Sequence, residues 1–78
     1  MAETETFGQR LGRLRRERGV TVTALAYKAG VTEGTVRGHE NGHTASVRFE
    51  TGVLYAETLD VTPRYLAFGD TERPNEVR

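Results

Sequence analysis

The sequence predicts an all-α fold in which five short helices surround one small core. Three observations favour it: apolar residues recur at helical spacing, glycines and threonines divide the chain into short pieces, and no strand-length run of alternating β-branched residues occurs. With 78 residues, the chain is expected to form a single domain. A domain of this size buries only roughly 60% of the surface of its unfolded chain, so its stability depends on efficient helix packing or on a dimer.

The first predicted helix rests on a stripe of apolar side chains. Phe7, Leu11 and Leu14 recur at i, i+4 and i+7, and therefore share one face of a helix that ends at about Arg18. Gly19 follows as a stop signal, because glycine readily takes up the left-handed conformation with which many helices end.

The second helix is predicted to begin at a threonine and to end at a glycine. Thr21 is a suitable N-cap, because its hydroxyl oxygen can accept a hydrogen bond from a free backbone N–H of the first turn. The helix then covers Val22–Ala29, with Leu25 and Ala26 inward, and Gly30 ends it. Because alanine is small, Ala26 allows a neighbouring helix to cross closely.

A third helix of about two turns is also predicted between a threonine N-cap and a glycine stop. Thr32 is its predicted N-cap, the helix covers Glu33–Glu40, and Asn41-Gly42 ends it. The second and third helices, joined through residues 29–32, fit a helix-turn-helix arrangement. In proteins that use this arrangement to bind DNA, the second helix of the pair enters the major groove.

Two further helices are predicted after a loop at residues 43–47. The fourth covers Arg48–Leu59, and the fifth is opened by Thr62 and Pro63, because proline is favoured at the first helical position. Gly69 ends the fifth helix. The apolar side chains available for burial are Phe49, Val53, Leu54 and Ala56 in the fourth helix and Tyr65, Leu66 and Phe68 in the fifth.

The composition excludes several classes of protein and site. The chain has no cysteine, so neither a disulfide framework nor a thiolate metal site can stabilise it. It contains no apolar stretch near the ~18 residues of a membrane span, and its acidic N-terminus does not resemble a secretory signal. We therefore expect a cytoplasmic protein without a membrane partner. Residues 7–69 should form the domain, between flexible segments at residues 1–6 and 70–78.

The formal net charge is zero, but the charges are distributed unevenly. Residues 1–48 hold eight arginines and lysines against five glutamates, a net charge of +3, whereas residues 49–78 hold three arginines against six acidic residues, a net charge of −3. The first part of the chain therefore suits a polyanionic partner, and the second part would face away from it. Chance variation between solvated helix faces would produce a similar asymmetry.

The segment HENGH at the end of the third helix matches the pattern H-E-x-x-H of zinc proteases. Such a site requires His39 and His43 on one helical face, with Glu40 as general base. The intervening Asn41-Gly42 is a helix terminator, and the chain has no third histidine. Since no other catalytic set of side chains and no glycine-rich phosphate loop occurs, we expect neither an enzyme nor a metal site, and no cofactor.

The run FGQRLGRLRRERGVTVTALAYKAGVTEGTVRGHENG resembles the Cro/repressor-type helix-turn-helix family. The resemblance is carried by an ordered series: Leu-Arg and a further Arg in the first helix, then Gly, then Leu-Ala and Gly-Val-Thr around the turn, and Glu-Asn-Gly at the end of the third helix. It continues in LYAETLDVTPRYLAFGD, which fits the family's last two helices. It implies a compact fold like that of the lambda repressor, with the helix-turn-helix formed by helices 2 and 3, and a sequence-specific regulator of transcription.

The resemblance also implies roles for individual residues. Arg15 and Glu40 match a structural ion pair between the first helix and the end of the third, and Val36 and His39 match inward positions. The residues that match base-facing positions of the recognition helix are Glu33, Gly34, Thr35, Arg37 and Gly38. Those that match positions near the DNA phosphates are Arg10, Thr21, Val22, Thr23, Thr32, His43, Thr44, Ser46 and Arg48.

The predicted recognition helix contains few residues that can read a base. Arg37 can donate to guanine O6 and N7, Glu33 can accept from a cytosine amino group, and Thr35 can touch a thymine methyl. Gly34 and Gly38 lie four residues apart and can read nothing themselves. They predict a bare stripe that lets the helix backbone sit closer to the groove or makes room for Arg37 to lie flat. The alternative is that the two glycines are merely tolerated.

One recognition helix gives too little contact for tight specific binding. We therefore expect a homodimer that places two helices about 34 Å apart on a pseudo-palindromic operator. Candidates for its interface are Leu54, Tyr55, Val61, Tyr65 and Phe68. A repressor, autoregulatory or phage-derived, without a small-molecule ligand is the predicted function. A protein-binding module such as an antitoxin or a co-regulator is the alternative, and the neutral net charge favours it.

Overall fold

The computed structural model describes residues 5–44 and 46–69 and folds them into five α-helices around one core. These are α1 (Phe7–Glu17), α2 (Val22–Ala29), α3 (Glu33–Asn41), α4 (Phe49–Leu59) and α5 (Pro63–Phe68). No strand occurs among the described residues, and the all-α prediction is confirmed. None of the helices in these two ranges has the length and apolar character needed to cross a membrane.

Threonine side chains begin four of the helices. In each case the hydroxyl oxygen accepts a hydrogen bond from the backbone N–H three residues later, which contributes about 1 kcal/mol to stability. The four N-caps are Thr6, Thr21, Thr32 and Thr62. The fourth helix differs, because its N-cap Arg48 makes no such hydrogen bond.

The folded domain begins before Phe7, contrary to the predicted boundary. Thr6 forms a capping box with Gln9, in which each side chain accepts a hydrogen bond from the other residue's backbone N–H. Glu5 accepts hydrogen bonds from Arg13, with Nε 2.7 Å from Oε2. This hydrogen bond lowers the pKa of Glu5 by more than the partial burial of its carboxylate raises it. Residues 1–4 and 70–78, which were predicted to be flexible, lie outside the described residues.

Helices α1 and α3 cross with their backbones in contact. A Cβ atom on Gly8 would lie against the carbonyl oxygens of His39 and Glu40, 2.7 Å from that of Glu40, so only glycine fits there. The sequence prediction attributed close helix crossing to Ala26, which is buried, and passed over Gly8. The sequence feature that could have indicated this close crossing is the pair Gly8 and Gly12, four residues apart on one face of α1. The buried apolar core consists of Leu11, Leu14, Leu25, Ala26, Ala29, Val36, Tyr55, Ala56, Leu59 and Leu66.

The buried face of α4 differs from the predicted one. Of the side chains that the sequence made available for burial, Ala56 is buried, whereas Phe49 is 79% exposed and Leu54 is 37% exposed. The residues of α4 that face the core are Thr51, Tyr55, Ala56 and Leu59. The physical reason is that the Tyr55 hydroxyl finds a buried partner in His39, at 2.8 Å from its Nδ1, so the whole tyrosine can be enclosed.

Candidate nucleic-acid interface

The turn between α2 and α3 sets the direction of α3. Gly30 ends α2 in the left-handed conformation, with φ 72° and ψ 30°. The Val31 N–H then donates to the Ala26 carbonyl at 3.0 Å, and the Thr32 hydroxyl accepts from the Thr35 N–H at 3.1 Å. Since α3 packs against both α1 and α2, two of its sides are fixed and the remaining side is open.

The open side of α3 carries the predicted base-facing residues. Val36 and His39 point the other way and are buried. The residues that are exposed or half-buried on the open side are Glu33, Gly34, Thr35, Arg37 and Gly38.

An ion pair attaches the C-terminal end of α3 to α1. Arg15 Nε donates to Glu40 Oε2 at 2.6 Å and Arg15 Nη2 donates to Glu40 Oε1 at 3.2 Å, a two-pronged geometry. The Arg15 Nη1 also donates to the carbonyl of Val20 at 3.1 Å. The two charged side chains are only 15% and 14% exposed. Because the pair is largely enclosed, it restrains the position of α3 more than a surface pair would.

A second charged pair, between Arg37 and Glu33, lies on the open side of α3, and Glu33 also accepts a hydrogen bond from α2. Thr23 Oγ1 donates to Glu33 Oε2 at 2.7 Å, and Arg37 Nη1 donates to Glu33 Oε1 at 3.4 Å. The hydrogen bond from Thr23, followed by that from Arg37, lowers the pKa of Glu33. The hydroxyl of Thr23, a predicted phosphate contact, therefore donates to Glu33, and Arg37 is paired with Glu33 one helical turn away.

Gly34 and Gly38 have different surroundings, and the prediction of one bare stripe is wrong. A Cβ on Gly34 would have only the Thr32 hydroxyl near it, at 3.8 Å. A Cβ on Gly38 would lie 3.0 Å from Thr44 Oγ1, and the Thr44 N–H donates to the Gly38 carbonyl at 3.1 Å. The loop after α3 thus covers Gly38, and only Gly34 presents open backbone.

The structure also corrects the prediction that Arg10 contacts a phosphate. Arg10 is only 6% exposed. Its Nη1 donates to the Leu66 carbonyl at 3.0 Å and its Nη2 donates to the Glu5 carbonyl at 2.9 Å. Arg10 therefore joins α1 to α5 inside the domain and cannot reach a ligand.

Most of the other predicted phosphate contacts are exposed. Arg48 is exposed and stands at the start of α4, whose first turn has no side-chain cap. The exposed candidates are Thr21, Thr23, Thr32, His43, Thr44, Ser46 and Arg48. Val22 is half-buried, and only its backbone can donate a hydrogen bond.

The sequence profile of a helix-turn-helix domain matches residues 6–73. The chain belongs to this helix-turn-helix domain family. No curated protein matches the chain.

Several solved structures of helix-turn-helix proteins are similar to this chain. SinR of Bacillus subtilis in complex with DNA is 28% identical, with a TM-score of 0.73 over 78% of this chain and 97% of that one. The restriction-modification controller protein C.AhdI of Aeromonas hydrophila is 37% identical, with a TM-score of 0.71 over 77% and 89%. The P22 c2 repressor in complex with a synthetic operator is 25% identical, with a TM-score of 0.78 over 86% and 100%. In the complex of SinR with SinI, the matched chain is longer, and this chain spans 59% of it.

The HENGH segment of this helix-turn-helix domain does not have the geometry of a zinc site. His39 is 5% exposed and its ring packs edge-on against Tyr55, with a centroid separation of 5.7 Å. Gly42 is left-handed, with φ 82°, so His43 lies beyond the end of α3. Glu40 is bound to Arg15. Over residues 5–44 and 46–69, no group of three metal-binding side chains is present.

The predicted dimer residues of the helix-turn-helix domain do not form one surface. Tyr55 is fully buried, so its assignment to an interface between folded copies is wrong. The Tyr65 hydroxyl accepts a hydrogen bond from Arg13 Nη2 at 2.7 Å, and Val61 is half-buried against the core. Leu54 lines a groove between α2 and α4, whereas Phe68 lines another between α4 and α5.

Proposed function

We propose that this chain is a sequence-specific regulator of transcription that binds double-stranded DNA, acts as a repressor and places α3 in the major groove. The observation that carries the proposal is the way in which α3 is attached to the domain. The Arg15–Glu40 pair fixes one end of the helix, and the open side presents Arg37 beside bare backbone at Gly34. Two similar proteins, SinR and the P22 c2 repressor, have been solved in complex with DNA. We assign residues 5–69 to the DNA-binding domain.

The proposed base reading depends chiefly on Arg37. Its guanidinium group can donate two hydrogen bonds to guanine, but it must first turn away from Glu33. The hydrogen bond from Thr23 lowers the pKa of Glu33, and an ionised carboxylate can accept from a cytosine amino group. Since Gly34 has no side chain, the backbone of α3 can approach the base edges closely at that point.

The proposed phosphate contacts flank α3. The uncapped first turn of α4 offers free backbone N–H groups and the positive end of a helix dipole, and the exposed Arg48 offsets the negative charge of Glu50 in the same turn. In the sequence, the exposed loop residues His43, Thr44 and Ser46 lie between α3 and the start of α4. Such contacts fix the register of the protein on the duplex and make its affinity depend on salt.

We place the dimer interface at the groove between α4 and α5. Phe49 and Phe68, 79% and 67% exposed, both line this groove, together with Val53, Leu66 and Ala67. A two-fold dimer needs a patch that complements itself, and here exposed aromatic rings adjoin an apolar groove on one face. A second copy can therefore insert its Phe68 into the groove while receiving the first copy's Phe68 in its own.

The DNA proposal is tested by selecting bound duplexes from a random DNA pool and measuring their affinity by fluorescence anisotropy at two salt concentrations. We expect a pseudo-palindromic sequence that binds about 10³-fold or more tightly than a random duplex. Both affinities should fall as salt rises, because phosphate contacts release counterions. The absence of any enriched sequence, or an affinity insensitive to salt, would contradict the proposal.

The dimer proposal is tested by sedimentation equilibrium of Phe68→Ser and Phe49→Ser. Each variant should associate less than the wild type, because the apolar area that a second copy covers is reduced. Leu54→Ser is the matched control, since Leu54 lines the groove between α2 and α4. A monomeric wild type, or an equal effect of the control, would rule out this interface while leaving α3 as the DNA-reading helix.

A further inference from the structure

A shallow groove between α1 and α3 runs beside the open side of α3. Its walls include Gln9, Gly12 and Arg16 from α1 and Arg37, Glu40 and Asn41 from α3. The separation of α1 and α3 is fixed, because the backbone crossing at Gly8 and the Arg15–Glu40 pair hold the two helices together. The groove is therefore a preformed feature of the surface that adjoins α3.

Arg16 has a defined position in this groove. A Cβ on Gly12 would lie 3.2 Å from Arg16 Nη1, so the guanidinium group lies against the bare backbone of Gly12. The same Cβ would lie 3.4 Å from Glu40 Oε1, so the Arg16 guanidinium group and the Glu40 carboxylate of α3 both border Gly12. Glycine at position 12 thus makes room for the Arg16 side chain beside the groove.

The charge of Arg16 is not compensated within the described part of the chain. Glu40 is neutralised by Arg15, and Arg37 is paired with Glu33. Among the arginines and lysines of that part, those with neither an ion pair nor a hydrogen bond are Arg16, Lys28 and Arg48. Of these, Arg16 is the one that lines the groove beside Arg37. This groove therefore carries an excess of positive charge, which an anion would relieve.

We propose that Arg16, lying over Gly12, binds a phosphate of the DNA backbone on the α1 side of the recognition helix. The inference rests on the proposed function, since it places the phosphate along the duplex that α3 enters. A guanidinium group can donate two parallel hydrogen bonds to a phosphate, and the amides of Gln9 and Asn41 supply further donors in the groove. Phosphate contacts at Arg48 and at Arg16 would lie on different elements that flank α3, and together they would set its angle in the groove.

The test measures the salt dependence of duplex binding for Arg16→Ala, Arg16→Lys and Lys28→Ala. The probes are a duplex selected from a random pool and a random-sequence duplex of equal length. Loss of one phosphate contact reduces the slope of log affinity against log salt by about 0.9. We expect this reduction for Arg16→Ala with both duplexes, since a phosphate carries no sequence information. Arg16→Lys should keep the slope, because the charge remains.

Lys28→Ala is the matched control, since Lys28 is another uncompensated cation but lines the groove between α2 and α4. Gly12→Ala is a second variant, which displaces the guanidinium without removing its charge and should weaken binding of both duplexes alike. Circular dichroism verifies that each variant is folded. If the wild type binds duplex and Arg16→Ala changes the slope no more than Lys28→Ala, the Arg16 contact is refuted and the DNA-binding function stands. If the wild type binds no duplex at all, both proposals fail.

Discussion

Helices α3 and α4 are similar in length but are held in the domain by different forces. In α3, two glycines each cost about 1 kcal/mol of helix propensity relative to alanine, and the only buried side chains are Val36 and His39. Polar contacts at its two ends compensate: the Thr32 cap and the Arg15–Glu40 pair. In α4 the core contacts dominate and the N-terminal cap is absent. A helix fixed at its ends leaves its outer face free for a ligand, whereas a helix fixed by its core face leaves apolar rings such as Phe49 for another protein.

The largest expected effect comes from removing the end contact of α3. Glu40→Gln should lower the free energy of unfolding by about 3 to 5 kcal/mol, because Arg15 stays charged and largely enclosed without its carboxylate partner. Urea denaturation measures the change. Glu33→Gln is the matched control, since its pair with Arg37 is exposed and should cost less than about 1 kcal/mol. Equal stability losses in the two variants would mean that the enclosed pair does not hold α3.

Because the buried Tyr55 attaches α4 to the core, we expect the domain to lose stability at alkaline pH. Burial, with a further contribution from the charge of Glu40, raises the pKa of Tyr55 to about 12. In the unfolded chain a tyrosine has a pKa of about 10, so the folded state holds this proton more tightly. The resulting stability is complete below about pH 10 and is lost as the pH rises towards 12, at most about 3 kcal/mol.

Denaturation curves between pH 9 and about pH 12 check this prediction. Tyr55→Phe should show a smaller decline over that interval, because the variant has no proton to lose at that position. It should also be less stable at neutral pH, since the buried His39 Nδ1 loses its hydrogen-bond partner. A wild type and a variant with parallel pH profiles would show that Tyr55 ionises in the folded protein as readily as in the unfolded chain.

Features set by neighbouring residues were predicted correctly, and features set by distant ones were not. The caps at Thr21, Thr32 and Thr62 depend on hydrogen bonds that span three residues, so the local sequence predicts them. The burial of Arg10 depends on the carbonyl of Leu66, 56 residues away, and no local pattern reports it. The periodicity of the first helix nevertheless placed Leu11 and Leu14 in the core.

In the candidate site, too, some features could be predicted from the sequence and others depend on contacts between distant residues. The resemblance to a known family located the Arg15–Glu40 positions and the open side of α3. It could not show that Thr44 covers Gly38, because the path of the loop decides that contact. Likewise, the exposure of Phe49 follows from the rotation of α4 that buries Tyr55 against His39, a pairing of two polar groups across the core.

The open side of α3 gives the next expected effect, on DNA binding rather than on stability. Arg37→Ala should weaken binding to a selected duplex by about 1 to 3 kcal/mol and relax the preference at one base pair. Its free energy of unfolding should change by less than about 0.5 kcal/mol, since Arg37 is exposed and its pair with Glu33 is a surface pair. Binding to random duplex should fall only by the loss of one positive charge. A variant with wild-type affinity for the selected duplex would mean that Arg37 does not read a base.

The smallest expected effect is on stability, and it differs between the two glycines of α3. The same substitutions separate the stability of the helix from its binding of DNA. Gly34→Ala should raise the free energy of unfolding by up to about 1 kcal/mol, because the new methyl group enters open space and alanine favours the helix. The same methyl group would stand between the helix backbone and the bases, so binding to the selected duplex should weaken. Gly38→Ala should stabilise less, because its methyl group would press against Thr44 Oγ1. If Gly34→Ala is both more stable and fully active in binding, the backbone of α3 does not approach the groove there, and glycine at that position is merely tolerated.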